Sequence, residues 1–106
     1  MIVELRDYHV YTGKLSELVH LYATEGTAIQ QEILGSGRFV GAFTTDIGDL
    51  STYTHMWAYE DFADREERRA RLAADERWKD FLPKILPLIH TQRNRIMVPT
   101  SYSPLR

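Results

Sequence analysis

The chain of 106 residues predicts an α+β fold in the order β-α-β-β-α-β, and three observations carry that reading. Apolar residues alternate with a period of two in some stretches and recur with helical spacing in others. Glycine, aspartate and proline stand where one period gives way to the next. The length suffices for one domain with its own core, which needs neither disulfide nor metal to fold.

Residues 2 to 11, IVELRDYHVY, are rich in β-branched and aromatic types without a breaker and read as the first strand. After Gly13, the residues Leu15, Leu18, Val19, Tyr22, Ile29 and Ile33 keep helical spacing, and the helix is expected to end near the GSG at 35–37. Phe39 to Thr45 reads as a second strand, DIGDLS at 46–51 as a hairpin connection, and YTHMWAY as a third strand. From Asp61 the chain turns helical, restarts near Asp75, and carries Trp78, Phe81, Leu82 and Ile85 on one face before Pro83 and Pro87 disturb it. TQRNRIMV, 91 to 98, is the last strand, and Pro99 and Pro104 mark a tail. Right-handed crossovers on both β-α-β units then give a ferredoxin-like, four-stranded antiparallel sheet with both helices on one face and the first and third strands adjacent at its centre. The whole chain, 1–106, reads as that one domain.

Composition narrows the function classes. An apolar fraction of 43% and a charged fraction of 26% are those of an ordinary globular protein. There is no cysteine, which removes thiolate chemistry and thiolate metal sites. No stretch has the length of a signal-peptide core or a membrane span, so the expectation is a cytoplasmic protein without a membrane partner. The arginine-rich run does not indicate nucleic acid: between Asp61 and Arg77, five arginines face six acids, a net charge of −1. Asp61–Arg65, Asp64–Arg68 and Glu67–Arg71 are spaced i,i+4 with the acid first, which predicts a solvated, self-paired helix flank. Phe62, Ala70 and Ala73 read as the apolar side of that helix, with Glu66 and Arg69 beside it.

Strand alternation supplies the candidate site. Glu4, Arg6 and Tyr8 share one face of the first strand, and His55, Trp57 and Tyr59 share one face of the third. Val3, Leu5, Thr54, Met56 and Ala58 occupy the opposite faces, and these small and apolar side chains suit a helix-packed core. The polar and aromatic set is thereby expected on the open face of the sheet, with Tyr8 near His55, Glu4 near Tyr59, and Asn94 and Gln92 joining from the last strand. His55 is the candidate catalytic acid or base, and Glu4, Arg6, Tyr8, Trp57, Tyr59 and Asn94 are the candidate ligand-binding residues. The same residues also suit the core of a dimer interface. His9 and His90 fall at adjacent strand ends without a third ligand, so no metal site is expected. No G-x-S-x-G, G-x-G-x-x-G or phosphate-loop pattern occurs.

ELRDY, GKLSELVHLY, the long run from GAFTTDIGDL through HMWAYEDFADREERRARLAADERW, and QRNRIMVPTSYSP together resemble the NIPSNAP family. The resemblance implies a dimeric α/β barrel: a homodimer whose two sheets pack face to face around a cavity that binds a small organic molecule. Relatives on that scaffold imply oxygenase-, isomerase- or haem-dependent chemistry by fold analogy alone, so the cofactor stays unknown. The alternative is a non-catalytic binding or adaptor protein with a packed interface.

Overall fold

The computed structural model describes residues 1–106. Strand β1 (Ile2–Val10) leads to helix α1 (Leu15–Leu21), a π-helical turn at Tyr22–Gly26, and helix α2 (Thr27–Leu34). Gly35 ends α2 with φ of +102°, a conformation that a residue with Cβ adopts only at a cost. Strands β2 (Phe39–Thr44) and β3 (Thr52–Tyr59) form the hairpin. Helices α3 (Phe62–Ala74) and α4 (Glu76–Ile85) follow, and β4 (Ile89–Met97) completes the sheet. Its order is β2-β3-β1-β4 with every pair antiparallel, the ferredoxin-like arrangement that the sequence predicts.

Local chemistry sets the boundaries. The Asp61 carboxylate accepts from the Asp64 amide at 2.8 Å and starts α3, and the Asp75 carboxylate accepts from the Arg77 and Trp78 amides at 2.9 and 3.3 Å and starts α4. Pro83 does not break α4: it stands in the last turn, and the helix runs on to Ile85. β4 begins at Ile89, two residues before its expected start at residue 91, directly after a 3₁₀ turn at Leu86–Leu88.

Two expectations about the sheet are corrected. The register pairs Glu4 with Trp57, Arg6 with His55 and Tyr8 with Tyr53. The Tyr8 ring does come near His55, with centroids 5.1 Å apart, whereas Glu4 lies opposite Trp57 rather than Tyr59. The faces are also exchanged. Glu4, Tyr8, His55, Trp57 and Tyr59 are buried, and their partners Arg65, Tyr22, Phe39, Leu72 and Phe81 include side chains of α3, α4 and the π turn, so this set points into the helix layer. The open face carries Val3, Leu5, Asp7, Thr54, Met56 and Ala58. Val3 and Ala58 are buried there because the C-terminal tail folds back, bringing Leu105 and Pro99 against that end of the sheet.

Hydrophobicity alone assigned the faces the other way. The physical reason for the exchange is that α3 supplies the counter-charge that lets an acid lie under a helix.

Candidate functional site

The inward face is built around the fully buried carboxylate of Glu4. Arg65 of α3 grips it with both ends of its guanidinium, Nε to Oε1 at 3.1 Å and Nη2 to Oε2 at 2.8 Å. Arg6, two residues along β1, donates to Oε2 at 3.1 Å, and Asn94 of β4 donates to the same oxygen at 2.9 Å. Burial pushes the carboxyl up, but the hydrogen bonds from Arg65 and Asn94 and the charges of Arg6 and Arg69 more than offset it and hold the pKa at about 2. Glu4 is therefore an anion at any working pH, already satisfied by its neighbours. Arg6 also donates from Nε to the Tyr8 hydroxyl at 3.3 Å, so its fork is occupied from within the protein.

Toward the other end of the face the chemistry changes from charges to rings. His55 lies among Tyr8, Tyr53 and Tyr22, with ring centroids 5.1, 5.3 and 5.8 Å away, and Tyr22 stacks on Tyr53 at 5.0 Å. Trp57 stacks on Phe39 at 4.7 Å and donates its indole N–H to His55 Nδ1 at 3.2 Å. Burial first, and then the Arg6 charge, lower the His55 pKa to about 3, so the imidazole is neutral. A neutral imidazole that accepts at Nδ1 carries its proton on Nε2. Nε2 is buried without a partner, as are the hydroxyls of Tyr22 and Tyr59. Burial raises the pKa of both tyrosines, which keeps them protonated. The interior thus holds hydrogen-bond donors with nothing to donate to.

A groove of about 310 Å³ runs along the β2 edge beside this cluster, lined by Val19, Ala23, Ala42 and Phe43, with Tyr22 and Tyr53 forming its inner wall. His55 stands behind that wall.

The NIPSNAP family model matches residues 3–104. The chain belongs to the NIPSNAP family. It is similar to a NIPSNAP family protein of known structure from Agrobacterium tumefaciens, at 50% identity and a TM-score of 0.94 over 99% of this chain and 98% of that one. It is also similar to the zebrafish (Danio rerio) protein NipSnap homolog 1, 37% identical over 99% of this chain and 36% of the relative. The domain therefore spans about a third of the length of that relative. A putative antibiotic biosynthesis monooxygenase from Nitrosomonas europaea superposes with a TM-score of 0.67 at 9% identity over 93% of this chain and 98% of that one, a likeness of fold.

Within this NIPSNAP domain the seven predicted site residues do come together on the helix-facing side of the sheet, with Asn94 exposed at its β4 edge. Glu4, Arg6 and Asn94 form one hydrogen-bonded cluster, His55 and Trp57 another, and Tyr8 bridges them. Tyr59 is buried beside the charged end. Gln92 is exposed on the edge strand opposite Tyr8.

Tyr53, Tyr22 and Arg65 are part of the same face and sequence reasoning does not reach them, whereas Arg69, expected beside the apolar side of α3, is half-buried there. Strand parity gives Tyr53, since it continues the series 55, 57, 59. The expected apolar side of α3 is corrected as well: Phe62 is 62% exposed, and Leu72 is the buried residue, which turns Arg65 inward. Asp61 accordingly caps the helix instead of pairing with Arg65, while the Asp64–Arg68 pair forms at 2.6 Å and the Glu67–Arg71 pair at 3.9 Å.

His9 and His90 do approach, with ring centroids 6.2 Å apart, and Asp49 pairs with His9 at 3.2 Å. A haem does not fit the remaining candidate ligand: three tyrosine rings enclose His55, and a macrocycle reaching Nε2 would have to displace them. No helix is long and apolar enough to cross a membrane.

Proposed function

We propose that this NIPSNAP domain binds a small, flat organic molecule through an acceptor oxygen, inside one protomer, between the sheet and the helix layer. The observation that carries this reading is the pair of buried donors without acceptors, His55 Nε2–H and the Tyr22 hydroxyl, directly behind an apolar groove. A buried donor left unpaired costs about 1–3 kcal/mol, so a ligand oxygen that satisfies it recovers that amount on binding. The ligand's plane lies along the tyrosine rings, and entry turns the stacked Tyr22–Tyr53 pair aside. The π turn that carries Tyr22 belongs to a class of helix irregularity common at functional sites.

His55 acts in this reading as a neutral hydrogen-bond donor, because its pKa of about 3 removes it from acid–base work near neutrality. Two neutral donors converging on a carbonyl oxygen hold it and draw electron density toward it, which is the polarisation such a site supports.

The domain also forms a homodimer through the open face. Leu5 and Met56 at its centre and the 55% exposed Phe43 offer apolar area, with Asp7 on one side and Arg93 and Arg95 at the β4 edge to meet opposite charges on a second copy. Sedimentation is expected to give a dimer at micromolar concentration, and a stable monomer opposes this part of the reading.

Binding is tested with acetophenone and its oxygen-free analogue ethylbenzene, followed by chemical-shift titration. The ketone is expected to bind more tightly and to move the His55 and Tyr22 resonances, with the advantage lost in His55→Phe. Equal affinity for the two, or shifts confined to Leu5 and Met56 on the open face, overturns the proposal.

A further inference from the structure

Strand β4 carries an arginine on either side of Asn94. Asn94 donates its amide to Glu4 on the covered face, so by strand alternation Arg93 and Arg95 stand on the open face. The register sets Arg93 across from Asp7 and Arg95 across from Leu5 on β1. Leu5, Asp7, Arg93, Asn94 and Arg95 line one cavity of about 260 Å³, which lies at the margin of the sheet because β4 is an edge strand.

The charges in this cavity do not balance. Arg6, Arg38, Arg65, Arg68, Arg71 and Arg77 each hold a carboxylate. Arg93 and Arg95 make no ion pair and no side-chain hydrogen bond. Asp7 is the one acid among the strand residues of this face, and its carboxylate accepts from the Thr54 hydroxyl. The cavity is thereby left with one positive charge in excess. A second copy laid on the face brings the same one acid and two arginines, and the excess remains.

We infer that this cavity is a binding site for a small organic monocarboxylate. It lies on the opposite side of the sheet from the tyrosine-walled groove and stands apart from the function proposed there. Residues two apart on a strand are roughly 7 Å apart, so the guanidinium groups of Arg93 and Arg95 can converge on one carboxylate and each take an oxygen. Half-buried Leu5 gives the organic body an apolar wall. Asp7 repels a second negative charge, which favours a monoanion over a dianion or a phosphate.

Benzoate and benzamide, which share a shape and differ in charge, test the site when titrated into the intact domain at neutral pH and low salt, followed by chemical shifts. Benzoate is expected to bind at least about tenfold more tightly than the amide and to move the Leu5 methyl resonances, with those of His55 and Tyr22 unmoved. Replacing both arginines, Arg93→Gln with Arg95→Gln, removes the preference, whereas Arg71→Gln, which takes an equal charge from α3, leaves it. Asp7→Asn is expected to tighten binding of the dianion phthalate more than that of benzoate, a gain that a damaged fold would not produce. Equal binding of benzoate and benzamide, shifts centred on His55 and Tyr22, or a preference that survives the double arginine variant overturns the inference, and the groove reading is judged separately by its own ketone.

Discussion

The two faces of the sheet invert the usual division between core and surface. The face under the helices holds a buried acid, the arginines that neutralise it and a cluster of tyrosines around one histidine, while the open face holds Leu5, Met56 and small side chains. The open face is ordinary: its apolar area is modest, its Asp7–Thr54 hydrogen bond simply joins neighbouring strands, and a second copy can cover it. The covered face is costly, since each buried charge and each unpaired donor opposes folding unless it is matched. A fold that keeps such groups inside, with donors still unmatched, has a use for them there.

The largest expected effect sets the same kind of change on the two faces side by side. Glu4→Gln leaves Arg6 and Arg65 partly buried without their counter-charge and is expected to lower stability by about 3 kcal/mol in urea unfolding. Asp7→Asn on the open face is expected to cost no more than about 1 kcal/mol. Similar losses for both would erase the distinction between the faces.

Acid sensitivity comes next, and it also belongs to the covered face. The folded pKa of His55, about 3, lies below its ordinary 6.5, so the unfolded chain takes up the proton first and stability falls as the pH drops below 6.5. Glu4, at about 2 against 4.5, adds a second loss that begins near pH 4.5. Between pH 6.5 and about 5 the histidine alone accounts for a loss on the order of 2 kcal/mol, and His55→Gln is expected to flatten that part of the profile. An unchanged slope in the variant would place the sensitivity elsewhere.

Packing sharpens the picture at the π turn. A Cβ added at Gly26 stands 2.5 Å from Phe81 Cζ and 3.0 Å from Tyr22 Cδ1, so Gly26→Ala is expected to cost about 2 kcal/mol and to disturb the Tyr22 ring. Retained stability together with an unchanged tyrosine spectrum would mean that the helix layer yields easily. The smallest effect has the opposite sign. Tyr59→Phe removes a buried hydroxyl that has no partner and is expected to be neutral or to stabilise the empty domain by up to about 1 kcal/mol, measured by thermal melting.

How far the sequence can be read follows from which interactions are local. Strand alternation, the Asp61 and Asp75 caps and the glycine at the end of α2 all act within a few residues, and the element order is legible from them. The grouping of Glu4, Arg6 and Tyr8 with His55, Trp57 and Tyr59 was legible for the same reason, since parity along a strand is a local property. Which face of the sheet that group occupies was not. That depends on Arg65, 61 residues away in sequence, reaching Glu4, and on the tail returning to cover Val3 and Ala58. The register depends on how the connections close, which left Tyr53 unseen opposite Tyr8. Arg65 read as the partner of Asp61 because i,i+4 pairing is a local rule, whereas the buried carboxylate of Glu4 is the stronger claimant in three dimensions.

The chemistry proposed for the covered face depends on His55 being buried, neutral and protonated at Nε2. Long-range ¹H–¹⁵N correlation of the four imidazoles, followed from about pH 8 to pH 4, tests this directly. The expected result is one histidine, lost in His55→Gln, that holds the Nε2–H tautomer and does not titrate over the whole range. A His55 that protonates near its ordinary 6.5, or that carries its proton on Nδ1, contradicts the account.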